Sequence, residues 1–177
     1  MSLARLFLVS FALMIGGLAA ILFWTGPAIE AGGLAPFDPR SAGYDLAEAR
    51  AFLTALTPEG RAAYLGGQRI ADTVFPIGFL GVLAIAIVSA YRRWSVWLAG
   101  AMSLVPLGYF VFDMLENAAV AGMLRAGPGN LTQAAVAWAS FCTIWKFRLV
   151  NAALALAGIG WAARGLAGLT RRRKPGQ

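Results

Sequence analysis

Apolar positions along this chain come in four long blocks separated by short polar breaks. Leu6 to Trp24 carries no charge and follows a single Arg5. Such a run crosses about 30 Å of hydrocarbon and exceeds the roughly 7–15 apolar residues of a signal-peptide core, so it predicts a retained first span. The stretch "TGPAIEAGGLAPFDPRSAG" (25–43) is rich in Gly, Ala and Pro and predicts an extended loop. In "DLAEARAFLTAL", Leu46, Ala49, Leu53 and Leu56 recur at helical spacing while Asp45, Glu48 and Arg50 fall elsewhere. That pattern predicts a short amphipathic helix, lying at the membrane surface or across the ends of the spanning helices.

"TPEG" (57–60) supplies a helix start, with Thr57 as N-cap, Pro58 in the first turn and Glu59 near the positive end of the dipole. The second helix runs from there to Tyr91, with a kink expected at Pro76. "YRRW" (91–94) turns the chain. The third helix runs from about Trp94 past Pro106 to "GPGN" (127–130), and Asn130 with Gln133 has the spacing of a capping box for the fourth. The expected organisation is one polytopic domain, residues 1–177, an all-α bundle of four transmembrane helices. Its spans cover about 6–24, 73–90, 95–115 and 147–166. An outer loop or subdomain, 25–72, holds the amphipathic helix; outer helical extensions cover 116–145, and a basic tail covers 169–177.

Composition supports a membrane reading: 59% of residues are hydrophobic and 13% charged, against roughly a quarter charged in soluble domains. The net charge of +7 would suit nucleic acid, but the placement of the basic residues answers to topology instead. With the N-terminus inside, Arg5, Arg92, Arg93, Arg164, Arg171, Arg172, Arg173 and Lys174 all fall on the cytoplasmic side, and the acids fall outside or at the outer boundary. The expectation is therefore N-in and C-in. The Ala, Gly and Arg bias points to a bacterial inner membrane. Without histidine, and with Cys142 as its single cysteine, the chain offers neither a disulfide nor a zinc or haem site built on His or paired Cys. No metal or cofactor is expected. Asp113 and Glu116 make only a weak cation site unless Asp72 completes it.

The polar residues inside the apolar blocks gather at one depth. Asp72 and Asp113 each lie about 20 residues, about 30 Å along a helix, from Arg92 and Arg93, and Lys146 is about as far from Arg164. Asp113, Glu116 and Asn117 share a helix face, with Tyr109 a turn below, and Arg61, Tyr64, Gln68 and Asp72 form a polar stripe on the second helix. Lys146 and Arg148 point about 160° apart, so one faces this cluster while the other snorkels outward. Arg148 shares its face with Ser140 and Asn151, which favours it as the inward cation. Apolar "AAVAGML" (118–124) and "LTQAAVAWASFCTIW" (131–145) roof the cluster, either packed under the 45–56 helix or sitting in the bilayer.

Two functions fit this arrangement. One is binding of a membrane lipid, or of a partner subunit or second copy, at a polar pocket near the outer leaflet, on Asp72, Asn117, Arg148, Lys146, Arg61, Tyr64, Gln68 and Tyr109. The other is an enzyme acting on a lipid or isoprenoid, with Asp113 and Glu116 as an acid–base pair. A simple structural role, ion pairs holding the helices in register, accounts for the same residues.

Overall fold

The computed structural model describes residues 2–29 and 31–172. Six α-helices make up most of it, and no strand occurs among the described residues. α1 (Leu3–Ala20) starts at Ser2, whose hydroxyl accepts from Arg5 N at 3.3 Å, and continues as a π-helical turn, Ile21–Thr25. α2 (Leu46–Ala55) is capped by Asp45, whose carboxylate accepts from Glu48 N at 2.8 Å. The Glu48 side chain returns the bond to Asp45 N, closing a capping box. α3 (Pro58–Ala63) begins at Thr57 as the "TPEG" motif predicts, with Gly60 N donating to the threonine hydroxyl at 3.0 Å.

A second π turn, Tyr64–Gln68, joins α3 to α4 (Arg69–Tyr91). α5 (Val96–Ala126) is capped by Ser95 and ends at Gly127, whose φ of +74° only glycine adopts readily. α6 (Gln133–Arg172) differs from expectation at its start. Thr132, rather than Asn130, accepts from Ala135 N at 3.2 Å. Asn130 ends a 3₁₀ turn and donates back to the Ala126 carbonyl at 3.1 Å. Of the expected basic tail, Arg173 and Lys174 lie outside the described residues.

Four helical segments are long and apolar enough to span a membrane: Leu3–Thr25, Pro58–Tyr91, Val96–Ala126 and Gln133–Leu169, with mean hydropathies of 2.6, 2.3, 1.6 and 1.4. Their outer faces carry large apolar side chains such as Leu8, Trp97 and Leu166, 64%, 89% and 65% exposed. Apolar surface on that scale needs lipid to cover it.

α4 packs against α1 on one side and against α5 and α6 on the other. The α1–α4 contact depends on missing side chains. A Cβ on Gly17 would sit 2.6 Å from Phe75 N, and one on Gly78 would sit 2.6 Å from the Ser10 carbonyl. Towards the far end of α4, Leu83 and Ile87 bury against Ala153 of α6, with the small Ala157 beside them. Tyr91 donates to the Leu156 carbonyl at 2.9 Å and Trp161 to the Ala86 carbonyl at 3.2 Å, fastening the same helices.

At the other end the loop and α2 fold onto α5 and α6. Phe37, Phe52 and Leu53 form one core with Met123, Leu124 and Val136, all within 2% of complete burial. Each such side chain contributes about 1.5–3 kcal/mol on leaving water. The inward faces of "AAVAGML" and the start of α6 are packed under the loop and α2, while Trp138 and Phe141 stay exposed. Arg40 caps the aromatic group, its guanidinium 5.3 Å from the Phe37 ring centre and 5.6 Å from that of Phe52. Tyr44 N donates to the Ser140 hydroxyl at 2.9 Å, and Gly43 lies flat on the same serine, stitching the loop to α6.

Candidate functional site

Beneath this folded loop, α1, α4, α5 and α6 surround a cavity of about 630 Å³. Leu18 of α1, Ile21 of the π turn after it, Phe75 and Phe79 of α4, and Phe147 and Val150 of α6 make most of its wall. Its polar end is built from Asp38 of the loop, Gln68 and Asp72 of the second spanning segment, Tyr109 and Asp113 of α5, and Lys146 of α6. Leu22, Pro27 and Pro39 line it while being exposed themselves, so the mouth lies beside the C-terminal end of α1.

The polar groups are placed by interlocking bonds. Gln68 donates to Asp72 Oδ1 at 2.9 Å, and its amide oxygen accepts from the Thr25 hydroxyl, so the two π turns are joined side chain to side chain. Asn117 donates to the Asp72 carbonyl at 3.0 Å and to Asp113 Oδ2 at 3.4 Å, tying α5 to α4. Lys146 Nζ lies 3.4 Å from Asp113 Oδ1 and forms a second ion pair with Glu116. Glu116 has no exposed surface, and its other oxygen accepts from the Thr143 hydroxyl. One ammonium thus stands against two carboxylates in a buried position, where an unpaired charge would be expensive.

Of the ten residues picked out by the sequence, Gln68, Asp72, Tyr109, Asp113 and Lys146 line the cavity. Asn117 stands behind it as a brace. Three others point elsewhere. Arg148, the favoured inward cation, is exposed, and its guanidinium lies 5.3 Å from the Trp145 ring centre. Lys146 takes the inward place. The correction has a physical reason: Ser140, read as marking the polar face, spends its hydroxyl on the loop backbone.

Arg61 donates to the Leu124 carbonyl at 2.8 Å, capping the end of α5. Tyr64 donates to Asp38 and accepts from Phe37 N at 3.2 Å, so it belongs to the outer core. The extra residue in the π turn breaks the single stripe expected along this helix. Glu116, expected as one of an acid–base pair, is fully buried behind Lys146 and is not among the residues lining the cavity.

The sequence reading missed Asp38, Thr143 and Thr25. Thr143 had a signal, since it precedes Lys146 by one helical turn on the same face. Asp38 sits between two prolines in an irregular loop, where no periodicity marks it. Among the described residues, no group of three or more His, Cys, Asp or Glu side chains converges to hold a metal ion. Compared with protein-family models, curated proteins and solved structures, the chain gives no match in any of the three.

Proposed function

We propose that this chain is a multi-pass protein of a bacterial inner membrane, a four-helix bundle with both termini cytoplasmic, that binds a lipid-like amphiphile under its outer loop. The observation that carries the binding role is the cavity: apolar walls, one polar end, and a volume within the roughly 300–1,000 Å³ of small-molecule sites. The orientation rests on the basic residues. Arg92 and Arg93 lie between α4 and α5, and Arg164 lies near the same end of α6, at the opposite end from the acidic loop. In that frame the polar end of the cavity stands at the outer boundary of the hydrocarbon, and the mouth beside Leu22 faces the outer leaflet. An acyl or isoprenoid chain would run along Leu18, Phe79 and Val150 while its head meets Asp72, Asp113 and Lys146.

Catalysis is the second reading, and within it the acid–base roles pass to Asp72 and Asp113, the carboxylates of the spanning helices that line the cavity.

The test is native mass spectrometry of the chain released from its own membrane, wild type beside Val150→Trp, which fills the apolar wall. A defined amphiphile retained by wild type and lost from the variant is the expected result. Bare protein in both would remove the reading. A bound species whose mass changes with time in wild type, and not in Asp113→Asn, would favour turnover.

A further inference from the structure

The charges that reach the cavity restrict what its polar end accepts. Asp38, Asp72 and Asp113 line it together with one cation, Lys146. That ammonium is already held by Asp113 and by Glu116 behind it. The other nearby cations are committed elsewhere. Arg148 lies over Trp145, Arg61 binds the Leu124 carbonyl, and Arg40 binds the Ala35 and Pro36 carbonyls. Arg69 is exposed and borders a separate crevice of about 10 Å³. Three carboxyl groups therefore line the cavity with a single ammonium, and a fourth, Glu116, pairs with that ammonium from behind.

Tyr109 adds a hydroxyl at the same place. It lines the cavity, is 4% exposed, and its hydroxyl has no hydrogen-bond partner among the described residues. Its ring meets Phe79 edge to face at 5.6 Å between centres, and Phe75 continues the row at 5.5 Å from Phe79. A cation next to such rings gains from their negative faces as well as from the carboxylates. An anionic head, by contrast, would meet three carboxyl groups and an ammonium that already has two carboxylate partners.

Building on the amphiphile-binding reading, we infer that the ligand carries a basic nitrogen: an amine-headed amphiphile whose ammonium sits among Asp38, Asp72 and the Tyr109 hydroxyl, with its apolar chain between Leu18, Phe79 and Val150. A phosphate- or carboxylate-headed lipid should bind less well at the same position. Asp38 belongs to the loop, so the head also bridges the outer subdomain to the spanning helices.

The test presents the full-length protein in nanodiscs with dodecylamine, dodecanol, dodecyl phosphate and ethylamine, and reads adducts by native mass spectrometry. The expected order has dodecylamine about tenfold or more ahead of the alcohol and the phosphate, with ethylamine not retained. Asp72→Asn and Asp38→Asn should each narrow that lead; the comparison among probes on wild type stands even if either variant folds poorly. Equal retention of amine and alcohol, both displaced by Val150→Trp, would overturn the cationic head while leaving the cavity reading intact. Preference for the phosphate would overturn it too, as would retention of ethylamine equal to that of dodecylamine. Failure of every probe would remove both readings.

Discussion

Lys146 sets its ammonium against the carboxylate of Glu116, a residue with no exposed surface, and so brings a charge to the wall of a cavity that Glu116 does not touch. The pair divides the cluster into a layer that can meet a ligand and a layer that holds it in place.

Removing Lys146 should therefore be felt first as lost stability. Lys146→Met leaves Asp113 and Glu116 facing each other in a buried site, at a cost of about 3–5 kcal/mol. Adding Glu116→Gln should restore part of that loss, because the repelling charge is gone. Thermal unfolding of the two variants in detergent checks this. A double variant no more stable than the single one would contradict the pairing.

Arg148→Gln, two residues along, should do little. Its side chain is exposed and rests on Trp145, a contact worth about 0.5 kcal/mol. Ligand retention should match wild type. A loss as large as that of Lys146→Met would restore Arg148 to the site.

At the α1–α4 contact, Gly17→Ala puts a methyl group 2.6 Å from Phe75 N, and backbone cannot yield cheaply. About 1–3 kcal/mol of destabilisation should follow. Gly158→Ala, where nothing lies within 4 Å, is the matched control and should be neutral to stabilising by up to about 1 kcal/mol, because alanine favours a helix interior. Unfolding midpoints that move equally for both would contradict a close-packed contact.

Alkaline pH offers a probe of the loop region packed on α5 and α6. Burial pushes the Tyr44 phenol well above its ordinary value of 10.0. The folded state thus resists ionisation that the unfolded chain allows. That region should keep its full stability below pH 10 and lose it as pH rises further. Tyr44→Phe should flatten this decline, measured as the wild-type-minus-variant difference in unfolding midpoint at neutral and alkaline pH. An unchanged difference across that range would count against a buried phenol.

Orientation is checked by thiol labelling, for which the native Cys142 is silent because it is fully buried. Exposed Glu59→Cys should react with a membrane-impermeant maleimide in intact spheroplasts, and Arg92→Cys only after permeabilisation. The reverse pattern would invert the proposed topology.

The shared level of the polar residues was legible because a straight helix converts residue number into distance. Counting from Arg92, Arg93 and Arg164 put Asp72, Asp113 and Lys146 at one level, and the structure joins them. Direction around the helix axis was harder to read. Lys146 and Arg148 had opposite bearings, and the tie was broken by Ser140, whose hydroxyl answers to the loop rather than to the cluster. The stripe from Arg61 to Asp72 failed for another reason. A π turn adds a residue without any composition that announces it; here only the Gly66–Gly67 pair in "YLGGQ" loosens the helix. Asp38 was out of reach because a proline-bounded loop has no period, and its position depends on how Phe37 and Tyr44 pack.

The two π turns, Ile21–Thr25 and Tyr64–Gln68, also determine how the protein tolerates change in length. Each is a surplus residue held in place by the Thr25–Gln68 contact, and a surplus of one is a phase offset of about 100°. Deleting Gly67 would rejoin α3 and α4 as one regular rod, turning Tyr64 away from Asp38 while Asp72 keeps its bearing. The loop would then lose its anchor on the helix below. The π turn works as a coupling between two storeys with different compass settings, and a single-residue deletion there would detune one storey from the other without removing any side chain that touches the cavity.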